Sequence, residues 1–204
     1  MCGRFTLSAS ATDLMRQFDL SDLPTWRPRY NIAPTQDILT VVQMPDAPER
    51  QALLLRWGLV PPWAEGPAVG SRIINARAET VATKPAFRRA FKERRCLLLA
   101  DGFYEWQRQE RRKQPFYIRL CDGQPFAFAS LWERWVPQDG QPIDSCTIIT
   151  TVANDLILVG KPPALPGRLP KFDGSGIMQF AQCARDPNAA TGRSPSDPAA
   201  ITPL

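Results

Sequence analysis

Residues 96–102 read Cys96-Leu97-Leu98-Leu99-Ala100-Asp101-Gly102, five apolar residues closed by an aspartate and a glycine. A run this short, bounded by turn formers, has the pattern of a strand buried on both faces rather than of a helix. Three similar runs follow at residues 116–120, 126–131 and 145–152, each apolar or β-branched and each set between Gly, Pro or Asp. Towards the N-terminus, residues 38–44 and 53–60 read as two further strands. Pro61-Pro62 ends the second, because proline supplies no ladder donor and forces an exposed bend before Trp63. Strands dominate, so the expected fold is α+β with a largely antiparallel core.

Helical signals flank these strands. Residues 12–18 place Leu14, Met15 and Phe18 on one stripe behind Thr12 as cap, which predicts a short surface helix. Residues 84–95 put Phe87, Ala90 and Phe91 on one side and Lys84, Arg88, Arg89, Lys92, Arg94 and Arg95 elsewhere. They read as an amphipathic basic helix and form the strongest local charge cluster. Residues 26–34, rich in proline, read as an extended approach to the strand at 38–44. Residues 161–170 are again proline-rich, and residues 183–204 are low in complexity, which predicts a loosely ordered tail. No internal repeat is present.

The 204 residues, 44% apolar and 22% charged, suit one or at most two globular domains. No apolar run reaches the roughly 18 residues that span a bilayer, and the first residues lack a secretory apolar stretch. The expectation is a cytoplasmic protein without membrane attachment. The five cysteines, Cys2, Cys96, Cys121, Cys146 and Cys183, are scattered without a C-x-x-C pair, which favours neither a disulfide framework nor a zinc site. The absence of histidine excludes Ser-His-Asp and Cys-His catalytic pairs and any imidazole metal ligand. No metal and no organic cofactor is expected. A net charge of +5 favours polyanions modestly and decides nothing alone.

Cys2 carries the most distinctive chemistry. Removal of Met1 would leave an α-amine and a thiol on one residue. The amine can condense with an aldehyde to a Schiff base, and the neighbouring thiol can close onto it as a five-membered thiazolidine. The other reading of Cys2 is a buried residue of an N-terminal strand.

Five motifs occur in order: Met1-Cys2-Gly3-Arg4-Phe5, Tyr30-Asn31-Ile32-Ala33-Pro34, Trp57-Gly58-Leu59-Val60-Pro61-Pro62-Trp63, Asn75-Ala76-Arg77-Ala78-Glu79-Thr80 and Gly102-Phe103-Tyr104-Glu105-Trp106. Together they resemble the SOS-response-associated peptidase (SRAP) family, abasic-site processing proteins, over residues 1 to about 155. The resemblance implies a mostly antiparallel, barrel-like core with flanking helices. It also implies a domain over residues 1–182, diverging beyond about 155, ahead of the tail at 183–204.

It further implies that Met1 is removed and that Cys2 captures the ring-opened aldehyde of an abasic site in single-stranded DNA. Asn75 would orient the reacting groups by hydrogen bonding, and Glu105 would move protons. Arg4 and Arg77 would hold the flanking phosphates, with ion pairing to Glu79 or Glu105 as their alternative role. Trp63 would stack on a neighbouring base, whereas Trp57 belongs to the core. The implied partner is single-stranded DNA bearing abasic sites, with no obligatory protein partner, and the protein would be nucleoid-associated when bound.

The chain departs from the family downstream of Thr151-Val152-Ala153-Asn154-Asp155, where a His-Asp-Arg-Met-Pro-like motif is expected and no histidine exists. An ungapped count puts Lys161 or Pro162 at that position, whereas the Arg-x-Pro pattern selects Pro166 with Arg168 and Pro170. Loss of an imidazole acid or base predicts slower cross-linking, or weaker reversal and strand cleavage, with DNA binding kept. Two rival readings follow: a noncovalent single-stranded DNA binder with a decayed active site, and a peptidase acting on other proteins.

Overall fold

The structure, a computed structural model, describes residues 2–44, 47, 49–109, 112–120, 122–151 and 199–203. Among the described residues, eleven strands form two sheets and the helices are short. The six-stranded sheet holds β3 (Asp37–Gln43), β4 (Arg50–Trp57), β5 (Asn75–Arg77), β6 (Arg95–Ala100), β9 (Phe126–Trp135) and β10 (Ile143–Thr150) in the order β4-β3-β6-β9-β10-β5. β10 also pairs in parallel with β4, through Ser145 opposite Arg56 and Cys146 opposite Trp57, so five of these strands close into a ring. Closure removes the sheet edge that would otherwise expose unpaired backbone groups. The second half of β10 carries β5 in parallel, with Ile148 opposite Asn75 and Thr150 opposite Arg77.

The five-stranded sheet runs β11-β8-β7-β1-β2, made of β1 (Arg4–Leu7), β2 (Arg29–Ile32), β7 (Gly102–Gln109), β8 (Arg112–Leu120) and β11 (Ala199–Pro203). Its inner face meets the barrel in an aromatic cluster. Phe5 lies edge-on to Trp57 at 5.2 Å and to Phe128 at 6.2 Å, and Phe103 lies 5.7 Å from Phe128. Edge-to-face geometry matches the ring quadrupoles while filling the core. The fold is therefore α+β and mostly antiparallel, as the strand runs implied, with the barrel-like core that the family resemblance implied.

Several local expectations are corrected. The first helix, α1 (Ala11–Phe18), is capped by Ser10 and not by Thr12: the Ser10 hydroxyl accepts from the Asp13 amide at 3.1 Å. Ser10 has the extended backbone of a cap, whereas Thr12 already lies inside the helix. The strand expected at residues 53–60 ends at Trp57, because Gly58 turns with φ of 127°. A Cβ on Gly58 would sit 2.5 Å from the Gly70 carbonyl oxygen, so this close approach requires glycine twice over. Beyond it, Leu59 N–H donates to the Ile73 carbonyl at 3.1 Å and Val60 N–H to the Ser145 hydroxyl at 2.8 Å.

The basic helix shrinks to α3 (Arg88–Glu93), preceded by a turn at Lys84 and by the one-turn α2 (Ala78–Val81). Phe87 and Ala90 do face a small apolar cluster with Val81 and Leu131, as their spacing predicts. The cationic residues diverge, however. Arg89 pairs with Glu93 on the surface, whereas Arg94 leaves the helix to pair with the buried Glu133 and lies over Trp132 at 5.4 Å. Glu133 needs this partner, because removing Arg94 would leave it an uncompensated buried ion.

In the low-complexity tail, residues 183–198 and Leu204 lie outside the described residues, as do Lys161, Pro162, Pro166, Arg168 and Pro170. Ala199–Pro203 forms β11, which pairs along β8 from Leu120 to Phe116. Without it β8 would be an open edge, and those backbone donors and acceptors supply the reason for a strand there.

Candidate active site at the first strand

Cys2 lies two residues before the first residue of β1 and is buried with the core, 6% exposed. Its Sγ lies 3.7 Å from the Arg4 carbonyl oxygen, a weak S–H donation. Burial, and then the charge of Glu105, push the thiol up to about 12, so at neutral pH it is an un-ionised thiol. β1 pairs with β7 so that Arg4 lies opposite Tyr104 and Phe5 opposite Phe103, and this register brings Glu105 near the start of β1.

Asn75 reaches the same place from the barrel. It begins β5, and its Nδ2 donates to the Cys2 carbonyl oxygen at 2.9 Å. Its Oδ1 is buried and accepts no hydrogen bond among the described residues. An amide so placed has an acceptor left over for a proton on an incoming or newly formed group. Cys2, Asn75 and Glu105, expected to act together, therefore converge from β1, β5 and β7.

The three residues expected to hold DNA surround this point differently. Arg4 is the nearest in sequence, and its guanidinium donates to Asn31 Oδ1 on β2 at 2.9 Å. Asn31 belongs to the Tyr30–Pro34 motif, yet no signal in the sequence assigned it this partner. Arg77 ends β5, two residues beyond Asn75, and is exposed. Trp63 stands 63% exposed on the turn after Pro61-Pro62, and that turn is held by Trp135 Nε1 donating to the Ala64 carbonyl at 2.8 Å. Trp57 is fully buried, with its indole N–H on the Ile74 carbonyl at 3.0 Å, directly before Asn75. No hydrogen bond, ion pair or ring contact among the described residues joins Trp63 or Arg77 to Cys2.

Sequence reasoning missed the support of β1. Asp101, buried between β6 and β7, accepts from the Thr6 hydroxyl at 2.5 Å through one oxygen. Through the other it accepts from the Ser8 amide at 2.5 Å, the Ser8 hydroxyl at 2.7 Å and the Ala9 amide at 2.9 Å. Thr6 is hydrogen-bonded in turn to the Tyr117 hydroxyl at 2.9 Å. Gly102 makes room for that ring: a Cβ there would lie 2.2 Å from the Tyr117 oxygen. The Asp-Gly pair read as a turn signal is thus also an anchor for the strand that bears Cys2.

Among the described residues no three of His, Cys, Asp and Glu converge as a metal site, and no helix is long and apolar enough to cross a membrane. Cys96 and Cys146 are buried free thiols, both raised by burial.

Known proteins resemble this arrangement. The chain is 45% identical over 161 residues to the abasic site processing protein YoqW of Bacillus subtilis, covering 77% of this chain and 71% of that one. It is 30% identical over 192 residues to the abasic site processing protein HMCES of Xenopus tropicalis, covering 74% of this chain and 57% of that one. Among solved structures, a Bacteroides thetaiotaomicron protein superimposes with a TM-score of 0.67 at 27% identity, covering 76% of this chain and 70% of that one. The family model described as SOS response associated peptidase (SRAP) matches residues 1–159, and the chain belongs to that family.

Proposed function

We propose that this protein captures abasic sites in single-stranded DNA through Cys2, after loss of Met1. The observation that carries the reading is the convergence on Cys2 of the Asn75 amide, at 2.9 Å, and the charge of Glu105. Relatives named abasic site processing proteins support the same substrate.

Hydrolysis of the Met1–Cys2 amide consumes one water and frees methionine and the Cys2 amine. That amine attacks the C1′ aldehyde of the ring-opened sugar, and loss of water gives the imine. The Cys2 sulfur then adds to the imine carbon while its proton passes to the nitrogen, closing the thiazolidine with no further leaving group. The amine is the first nucleophile and sulfur the second, because the ring can close only on the carbon of an imine already formed. Asn75 orients the Cys2 backbone, and Glu105 carries protons in steps that have no histidine to serve them. Arg4 and Arg77 would contact phosphates, Trp63 would stack on a base, and neither cofactor nor protein partner enters. The reaction belongs in the cytoplasm, at the nucleoid when DNA is bound.

The absence of histidine favours a second reading, a noncovalent binder of single-stranded DNA that has lost the reaction. Intact mass before and after incubation with an oligonucleotide bearing one abasic site separates the two. Loss of Met1 followed by a stable adduct, abolished in Cys2→Ala, is the expected result. Retained Met1, or processed Cys2 without adduct, supports the binder, and an adduct persisting in Cys2→Ala overturns the thiazolidine.

A further inference from the structure

Apart from Arg4, the outer face of the five-stranded sheet has no role in the chemistry above, yet it is built unlike an ordinary solvated surface. Residues paired directly across neighbouring strands share a face. Tyr117 on β8, Tyr104 on β7 and Arg4 on β1 form one such row, and Pro115 with Trp106 forms the next. Lys113 and Arg119, two residues to either side of Pro115 and Tyr117 along β8, continue the same face and are exposed. The alternate residues Phe5, Phe103 and Ile118 turn inward and are buried.

Trp106 is 44% exposed, and Tyr30 on the neighbouring β2 is 67% exposed. The Tyr104 and Tyr117 rings lie 5.2 Å apart, tilted by 40°, and the Tyr104 hydroxyl donates to the Tyr30 carbonyl at 2.9 Å, which fixes the row. By register, Arg4, Lys113 and Arg119 lie on this face. Glu105 lies in register with Phe116, on the alternate positions of the strand.

Aromatic surfaces spaced among cations match a single nucleic-acid strand, whose bases stack and whose phosphates are drawn to the charge. Arg4 joins this face to Cys2, two residues away. We infer that the outer face of β1, β7 and β8 is a second binding platform, on which bases flanking the lesion stack on Trp106 and the tyrosine row while Lys113 and Arg119 hold their phosphates. The inference rests on the proposed capture of single-stranded DNA and extends it to the flanking strand.

The test measures the affinity of the full chain for single-stranded oligonucleotides carrying one tetrahydrofuran site, which has no aldehyde to react, with short or long flanks. The unmodified protein gains affinity as the flanks lengthen. Trp106→Ala loses that gain, binding the long oligonucleotide roughly 5- to 100-fold more weakly and the short one unchanged. Trp106→Phe, which keeps a ring, restores it. The Lys113→Gln/Arg119→Gln double variant lowers the slope of log affinity against log salt by about 1.4, two phosphates at about 0.7 each. A flank gain and salt slope unchanged in all variants overturn the platform. Adduct formation by these variants on a short oligonucleotide with a true abasic site reports the capture reaction separately, so the platform can fail while capture stands. If the unmodified protein shows neither adduct nor affinity, both fall.

Discussion

The Asn75 side chain donates to the Cys2 carbonyl oxygen at 2.9 Å, across 73 residues of chain. One residue stands two positions before the first strand and the other on the three-residue strand carried by β10, so this hydrogen bond ties the two sheets together at Cys2.

Removing that bond tests its part in the reaction. Asn75→Ala leaves the Cys2 carbonyl without its donor and is expected to slow Met1 release and adduct formation on the order of 10²-fold, the usual cost of losing an oriented donor at a reacting centre. Intact-mass time courses measure both steps. Unchanged rates would make Asn75 a packing residue only.

The Cys2 thiol offers a test that needs no DNA. With its value raised from the ordinary 9.0 to about 12, its thiolate fraction at pH 8 is on the order of 10³ below that of an unfolded chain. Alkylation by iodoacetamide should be correspondingly slow in the folded protein. Glu105→Gln removes the negative charge that helps keep the proton on sulfur, so the thiol titrates lower and alkylation quickens. It remains slower than in the unfolded chain, because burial is the larger cause. Peptide mapping of labelled Cys2 reads the rates, and no acceleration in the variant would remove Glu105 from the site's electrostatics.

Asp101 should prove a stability residue with an effect on the site. Asp101→Ala leaves the Ser8 and Ala9 amides without their acceptor and takes one partner from the Thr6 hydroxyl, and it is expected to cost about 2–4 kcal/mol. Asp101→Asn keeps an acceptor for the Ser8 and Ala9 amides and should lose less. Thermal unfolding of the two variants gives the order. Equal loss would show that charge, and not the acceptor geometry, is what matters.

Gly58 tests the turn that delivers Trp63. Gly58→Ala combines a left-handed φ of 127° with a contact of 2.5 Å to the Gly70 carbonyl oxygen. It is expected to destabilise by about 1–3 kcal/mol, lowering Tm by several degrees. An unshifted Tm would mean that this segment rearranges freely.

Strand positions were readable because apolar runs such as residues 96–100 and 126–131 have no solvent face and end in turn formers. Caps and ends were harder to place. Ser10 and Thr12 are both competent caps, and only the backbone chooses between them. The end of β4 depends on Gly70, twelve residues beyond Gly58, which no local pattern reports. The basic run at 84–95 misled because Arg94 answers to Glu133 on β9, a partner distant in sequence. The reactive potential of Cys2 followed from the chemistry of an amine beside a thiol, whereas the roles of Asn75 and Glu105 came from motif resemblance. Neither type of residue announces a carbonyl on another sheet, as for Asn75, or a thiol beside a neighbouring strand, as for Glu105.

β10 serves two neighbours in succession, closing the ring on β4 with its first half and carrying β5, and so Asn75, with its second. These parallel pairings join distant stretches of chain and belong to the slow class of folding events. Cys2 and Asn75 can meet only once that strand has docked. On the proposed function, release of Met1 at a site that includes Asn75 would then time-stamp completed folding: a chain still assembling its barrel would keep its methionine and hold its reactive amine masked until the architecture around it was finished.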